Sequence, residues 1–121
     1  MSKSMLVVED TEDNRQILRD LLGAAGYTLI EAHDGAEGVA KAIEHRPDLI
    51  LMDIQMPVMD GYEAARRIKA DPALRAIPIV AVTSYALSGD EQKARAAGCD
   101  SYIAKPYSPR QMLAKVRELI G

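Results

Sequence analysis

The sequence predicts an α/β fold, a doubly wound parallel sheet of five strands with helices on both faces. Five short apolar runs recur along the chain, and segments with helical spacing of apolar residues separate them. Three of these runs are continuous rather than alternating, as in strands that are covered on both faces. Strands that alternate with helices favour a parallel sheet with right-handed crossovers. A length of 121 residues favours one domain.

The five apolar runs are the predicted strands. They cover residues 5–8, 27–30, 49–52, 79–82 and 102–104. Each is followed by a segment long enough for one helix. The sequence therefore predicts five units, each a strand followed by a helix. Such short units favour the flavodoxin-like strand order 2-1-3-4-5.

Helix boundaries are marked by residues that favour helix starts and stops. Four pairs place a capping residue three positions before Glu or Gln, where both side chains can bond to free N–H groups: Asp34 with Glu37, Asp60 with Glu63, Ser88 with Glu91, and Ser108 with Gln111. Gly26 and Gly98 can adopt the left-handed conformation that ends a helix. Pro47 and Pro72 prevent a preceding helix from continuing.

Charge and composition exclude several classes of function. The chain has 15 Lys and Arg against 18 Asp and Glu, a formal net charge of -3, and so lacks the basic excess of proteins that bind nucleic acid. The single cysteine, Cys99, suits a reducing compartment. The N-terminal apolar run is too short for a signal peptide, and no run is long enough to span a membrane. We therefore expect a cytoplasmic protein without nucleic-acid or membrane partners.

Polar residues stand at the carboxyl ends of four predicted strands. Glu9 and Asp10 follow the first strand, Asp53 the third, Thr83 the fourth and Lys105 the fifth. Strands 1, 3, 4 and 5 are neighbours in the expected order, and ligands bind at this edge of open parallel sheets. These five side chains are therefore expected to share one pocket.

The acidic members of this set predict a divalent cation. Three carboxylates at close range repel one another unless cations offset their charge. Mg²⁺ prefers such oxygen ligands and commonly bridges to a phosphoryl group. Mg²⁺ together with Lys105 would neutralise Glu9, Asp10 and Asp53 and leave room for a phosphoryl dianion. Each residue alone is commonly a cap, a solvated turn or a surface lysine, but their joint placement favours a site.

The ordered set resembles the receiver domains of bacterial two-component response regulators. It comprises Glu9-Asp10, Asp53 within Leu-Met-Asp-Ile-Gln-Met-Pro-Val-Met-Asp-Gly, Thr83 and Lys105-Pro106, and the likeness extends from Met5 to the last helix. By this resemblance Asp53 is the phosphoryl acceptor. Mg²⁺ is held by Glu9, Asp10, Asp53 and the backbone carbonyl of Gln55.

The resemblance implies roles for further residues. Lys105 contacts a phosphoryl oxygen, its bond to Pro106 is cis, and Thr83 forms a hydrogen bond to the phosphoryl group after transfer. Tyr102 matches the aromatic switch position, although a tyrosine that completes a strand edge is an equally good interpretation. Two residues match positions that flank the approach of hydrolytic water: Gln55 and Tyr85. Three residues are candidates for the partner surface of the fourth helix, fifth strand and fifth helix: Arg95, Tyr107 and Arg110.

The implied function is a phosphorylation switch rather than an enzyme, with at most slow self-dephosphorylation. A sensor histidine kinase or a histidine phosphotransfer protein donates the phosphoryl group to Asp53, and binding of a downstream protein partner changes. We expect residues 1–121 to form a single receiver domain without an output domain. This arrangement is similar to DivK-type regulators and to the receivers of hybrid kinases.

Three other functions fit parts of the sequence. A degenerate receiver would bind proteins without phosphorylation, which the complete acidic set disfavours. A phosphatase of the haloacid dehalogenase type requires a second Asp two residues after its nucleophile, and Gln55 stands there. A flavodoxin-type flavin carrier needs a hydroxyl- and glycine-rich loop after the first strand, and the acidic residues 9–13 would repel its phosphate.

Overall fold

The computed structural model describes residues 3–54, 56, 59–83 and 90–120, and for Asp90 and Glu91 it describes the backbone only. Its strands and helices alternate along the chain. They are β1 (Ser4–Val8), α1 (Glu12–Ala24), β2 (Thr28–Ala32), α2 (Gly35–His45), β3 (Leu49–Asp53), α3 (Gly61–Ala70), β4 (Ile79–Thr83), α4 (Asp90–Ala96), β5 (Ser101–Ala104) and α5 (Pro109–Ile120).

The five strands form one parallel sheet in the order β2-β1-β3-β4-β5, which confirms the predicted fold. Strand ends differ from the prediction by one or two residues. The largest difference is in β2, which runs on through Glu31 and Ala32 because these residues pair with Val7 and Val8 of β1. Glu31 is accepted in this edge strand because Arg19 of α1 binds its carboxylate.

The apolar core has two layers, one on each face of the sheet. Within β1, Leu6 and Val8 pack with buried residues of α2, α3 and α4, whereas Met5 and Val7 pack with buried residues of α1 and α5. This division follows from the alternation of side chains along a strand. Every residue of the central strand β3 is buried, which explains its continuous apolar run.

Three of the predicted helix starts have the expected capping bonds. Asp34 and Asp60 accept from the N–H groups of Glu37 and Glu63, and Ser108 and Gln111 bond reciprocally. The Ser88–Glu91 pair lies outside the described side chains. Helix ends also agree with the prediction, since Gly26 and Gly98 have φ of 99° and α2 and α3 end before Pro47 and Pro72. None of the helices in the described ranges is long and apolar enough to cross a membrane.

Candidate functional site

Four neighbouring strand ends bring the polar residues of the sequence pattern to one edge of the sheet. Asp53 and Thr83 are the last residues of β3 and β4, while Glu9 and Lys105 directly follow β1 and β5. Adjacent strands are in register here, with Asp53 opposite Val82 and Thr83 opposite Ala104. The strand order therefore determines which side chains can meet.

Glu9, Asp10 and Asp53 form a compact acidic cluster. One carboxylate oxygen from each residue lies within 4.8 Å of the other two. The residues differ in exposure, since Glu9 and Asp53 are 3% and 5% exposed whereas Asp10 is open to solvent. Two carboxylates of the cluster are therefore buried, and the third is accessible from solvent.

Lys105 brings a positive charge to the carboxylates of this cluster. Its Nζ lies 3.0 Å from Glu9 Oε1 and 3.5 Å from Asp53 Oδ2. Burial alone would lower the pKa of Lys105, but the hydrogen bond that Lys105 donates to Glu9 and the charges of Asp53 and Glu9 raise this pKa above its ordinary value. The ammonium thus remains charged, and the three carboxylates together with this ammonium carry a combined charge of -2.

The two adjacent acids respond oppositely to this environment. Burial acts to raise the pKa of Glu9, but the Thr11 N–H, Lys105 and Asp10 together hold this pKa below its ordinary value. The pKa of Asp10 is raised, first by desolvation and then by the hydrogen bond and charge of Glu9. A negative charge on Asp10 beside that of Glu9 is therefore unfavourable, and a bound hard divalent cation would offset the repulsion between them.

Thr83 and Tyr102 lie on the two strands beyond Asp53. Thr83 is fully buried, and its backbone carbonyl accepts a hydrogen bond from the Lys105 N–H at 2.6 Å. Tyr102 is partly buried and packs against the core layer of α2, α3 and α4. The Lys105-Pro106 bond is cis, as the resemblance implies. Gln55 and Tyr85 lie outside the described residues.

Gly61, the first residue of α3, packs directly against the backbone of Asp53. A Cβ atom at this position would lie 2.4 Å from the Asp53 carbonyl oxygen and 2.9 Å from Ile54 Cα. The Gly61 N–H also donates to the Ile54 carbonyl at 3.2 Å. Since both of these atoms belong to the backbone and cannot turn aside, only glycine allows this approach.

Gly61→Ala is expected to lower the free energy of unfolding by about 2 kcal/mol, because the added methyl group must displace the end of β3. Gly23→Ala is the matched control. A Cβ at Gly23, in the last turn of α1, would have no described atom beyond its chain neighbours and its own helix backbone within 4 Å, so this variant should gain about 0.4–1 kcal/mol. Urea unfolding of both proteins measures the difference. A Gly61→Ala protein as stable as Gly23→Ala would contradict the close packing.

Two residues missed by the sequence analysis hold Glu9 in place. Arg15 Nη1 donates to the Glu9 backbone carbonyl at 2.6 Å, and Asn14 Nδ2 lies 3.4 Å from Glu9 Oε1. Both residues are in the first turns of α1, shortly after the acidic pair. The sequence signal for both is that closeness, and for Arg15 no other is expected, because a bond to a backbone carbonyl leaves no residue-type pattern.

Comparison with known proteins connects this geometry with one family. The family model described as response regulator receiver domain matches residues 5–117. The chain is 46% identical over 121 residues to the polar-differentiation response regulator DivK of Brucella anthropi, and 45% identical to that of Brucella ovis. Each alignment covers 100% of this chain and 98% of the relative.

Solved structures show the same likeness. The receiver domain of sensor histidine kinase PA1611 from Pseudomonas aeruginosa, with a magnesium ion coordinated in its active site cleft, is 36% identical with a TM-score of 0.93. The alignment covers 100% of this chain and 99% of that one. The chemotaxis protein CheY4 of Vibrio cholerae is 30% identical with a TM-score of 0.93, covering 98% and 99% of the two chains. The chain therefore belongs to the response regulator receiver family of two-component signalling.

Proposed function

We propose that Asp53 accepts a phosphoryl group from a phosphohistidine of a sensor histidine kinase or a histidine phosphotransfer protein. The observation that carries this proposal is the buried Asp53 carboxylate, grouped with Glu9, Asp10 and the Lys105 ammonium at one sheet edge. A carboxylate can act as a nucleophile toward phosphorus and form an acyl phosphate. The neighbouring charges suit such a transfer.

The transfer needs no proton from the protein. A carboxylate oxygen of Asp53 forms the new bond to phosphorus while the bond between phosphorus and the donor imidazole nitrogen breaks. The bonding electrons leave with that nitrogen, and the donor ring, protonated on its other nitrogen, departs as neutral imidazole. Lys105, already within 3.5 Å of Asp53, supplies positive charge for the phosphoryl oxygens, and such electrostatic stabilisation dominates phosphoryl transfer.

The donor set fits Mg²⁺. Glu9, Asp10 and Asp53 offer hard oxygen ligands, and their charge exceeds that of Lys105 by two. We propose that these three carboxylates and the backbone carbonyl of Gln55 hold the ion. When bound, Mg²⁺ supplies charge neutralisation that allows a phosphoryl dianion to approach.

The surroundings of the site suit a protein as the phosphoryl donor. Ile17 of α1 is 59% exposed, and it lines an open depression with Lys105, Tyr107, Asn14 and Pro106. An apolar side chain next to a charged site offers contact area to a docking protein.

We propose that the chain works in the cytoplasm as a phosphoryl acceptor rather than as an enzyme with a small-molecule substrate.

Phosphorylation is proposed to act through Thr83 and Tyr102. A new phosphoryl oxygen near the end of β3 would draw the Thr83 hydroxyl, since the two residues end neighbouring strands. Tyr102, partly buried on the next strand, would adjust its position with it. The surface of α4, β5 and α5 would then change its affinity for a protein partner, with Arg95, Tyr107 and Arg110 as candidate contacts.

Intact mass spectrometry tests the acceptor function. The full chain is incubated with acetyl phosphate in MgCl₂ or in EDTA. We expect the mass of one phosphoryl group to be gained in MgCl₂ and not in EDTA. A folded protein that binds Mg²⁺ and gains no mass would overturn the proposal and favour a receiver that binds partners without phosphorylation.

A further inference from the structure

Arg15 joins α1 to the end of β1 at the acidic cluster. Its side chain is only 15% exposed. Nη1 donates to the Glu9 backbone carbonyl at 2.6 Å, and Nη2 donates to Glu12 Oε2 at 2.6 Å. One guanidinium group thus binds a backbone oxygen of the cluster and a carboxylate that lies outside it.

The bond to Glu9 fixes the peptide that leads into Asp10. The Glu9 N–H already donates to the Ala32 carbonyl of β2 at 3.0 Å. With Arg15 on its carbonyl, both backbone groups of Glu9 are held by neighbouring elements. Because a peptide unit is planar, the orientation of the Glu9 carbonyl also sets the position of the Asp10 Cα atom. Without this bond the chain could rotate as it leaves β1.

Arg19 provides an internal comparison. Its guanidinium binds Glu31 with two bonds of 2.7 Å and Glu12 with one of 3.1 Å. Arg15 pairs with Glu12 and lies 3.5 Å from Glu31, so both arginines belong to one ion-pair network. Within the part of the chain that the structure describes, Arg15 contacts a residue of the acidic cluster, whereas Arg19 contacts Glu12 and Glu31.

We infer that Arg15 is a positioning residue, whose bond to the Glu9 carbonyl holds Glu9 and Asp10 in the arrangement that binds Mg²⁺. This inference rests on the proposed function, because it concerns the metal site of that function. The residues that orient metal ligands commonly contribute about 10–100-fold to metal affinity.

The direction of the expected effect separates positioning from charge. Arg15 carries a positive charge near the site. If this charge were its only contribution, the removal of Arg15 would strengthen the binding of a cation. Loss of positioning has the opposite effect. Weaker Mg²⁺ binding after removal of a positive charge would therefore identify the geometric role.

The test compares Mg²⁺ binding by Arg15→Met and Arg19→Met. Isothermal titration with MgCl₂, without a phosphoryl donor, gives the dissociation constant, and urea unfolding in EDTA gives the folded fraction of each protein. We expect the dissociation constant to rise about 10-fold for Arg15→Met. It should stay within about twofold of wild type for Arg19→Met, which loses the same charge and comparable ion pairs. Arg15→Lys, which can donate one N–H to the carbonyl, should recover part of the lost affinity.

Each other outcome overturns the inference. Unchanged or tighter binding by Arg15→Met would show that the bond does not position the ligands. An equal loss in Arg19→Met, or a lysine variant no better than methionine, would indicate a general effect of the network. If the wild type bound Mg²⁺ normally, the proposed function would survive these results. A wild type without Mg²⁺ affinity would overturn both.

Discussion

Asp53→Asn is expected to abolish phosphoryl uptake and to stabilise the metal-free protein by about 1–2 kcal/mol. The amide cannot form the acyl phosphate, and it removes one of three carboxylates that lie within 4.8 Å of one another. Lys105 then faces Glu9 and Asp10 with a local excess of one negative charge instead of two. Asp53 is therefore expected to lower the free energy of unfolding of the metal-free protein, while its carboxylate is required for phosphoryl uptake.

Magnesium should reverse the order of stability. A ligand that binds the folded state stabilises it by about 2.7 kcal/mol at a concentration one hundred times its dissociation constant. Asp53→Asn has lost a charged ligand and should gain less from the metal. Urea unfolding in EDTA and in saturating MgCl₂, with intact mass after acetyl phosphate treatment, measures both effects.

Two results would contradict this expectation. Phosphoryl uptake by Asp53→Asn would show that another residue is the acceptor. A metal-free variant less stable than the wild type would show that the contacts of Asp53, including the 3.5 Å approach of Lys105, outweigh the repulsion among the carboxylates.

Lys105→Met is expected to have the opposite effect on stability, with a loss of about 3 kcal/mol in EDTA at neutral pH. The substitution leaves Glu9 and Asp53, which are 3% and 5% exposed, beside Asp10 without the ammonium group. A buried charge without its partner is strongly unfavourable. Phosphoryl uptake should also slow, because the positive charge near the accepting oxygen is gone.

The stability deficit of Lys105→Met should depend on pH. Burial acts to raise the pKa of Glu9. In the wild type this pKa nevertheless lies below its ordinary value of 4.5, partly because of Lys105. A lowered pKa contributes stability that is present above the unfolded value and lost as pH falls through the folded value. The difference between wild type and variant should therefore be full at neutral pH and shrink as acidification protonates Glu9, first in the variant, where burial acts on this carboxylate without the ammonium group.

Urea midpoints measured from neutral pH down to pH 3 test this prediction. Lys69→Met offers a comparison away from the site, since Lys69 Nζ binds Asp100 at 2.8 Å at the opposite sheet edge. This variant should also lose stability, but the loss should not change with the protonation of Glu9, because Lys69 does not contact that carboxylate. A Lys105→Met deficit that stays constant through the titration of Glu9 would contradict the proposed charge balance.

Local features of the sequence determined the fold class and the helix caps, and they favoured the strand order that the structure shows. Apolar runs and helical spacing are repeated five times, and residues such as Asp34 and Ser108 mark helix starts through bonds spanning three positions. These signals are readable because they involve neighbours in the chain. The strand ends also indicated which polar residues meet, since the carboxyl ends of parallel strands share an edge. The chemical roles of these residues stay predictions.

Tertiary structure decided how those residues are arranged. Sequence spacing does not distinguish Glu9 from Asp10, yet packing buries the first and leaves the second open to solvent. The Lys105 ammonium lies closer to Glu9, which is 96 residues away in the sequence, than it does to Asp53. The Arg15 bond and the Gly61 approach both involve backbone oxygens. Such contacts depend on where elements pack and not on which residue type accepts them, and so only the folded chain reveals them.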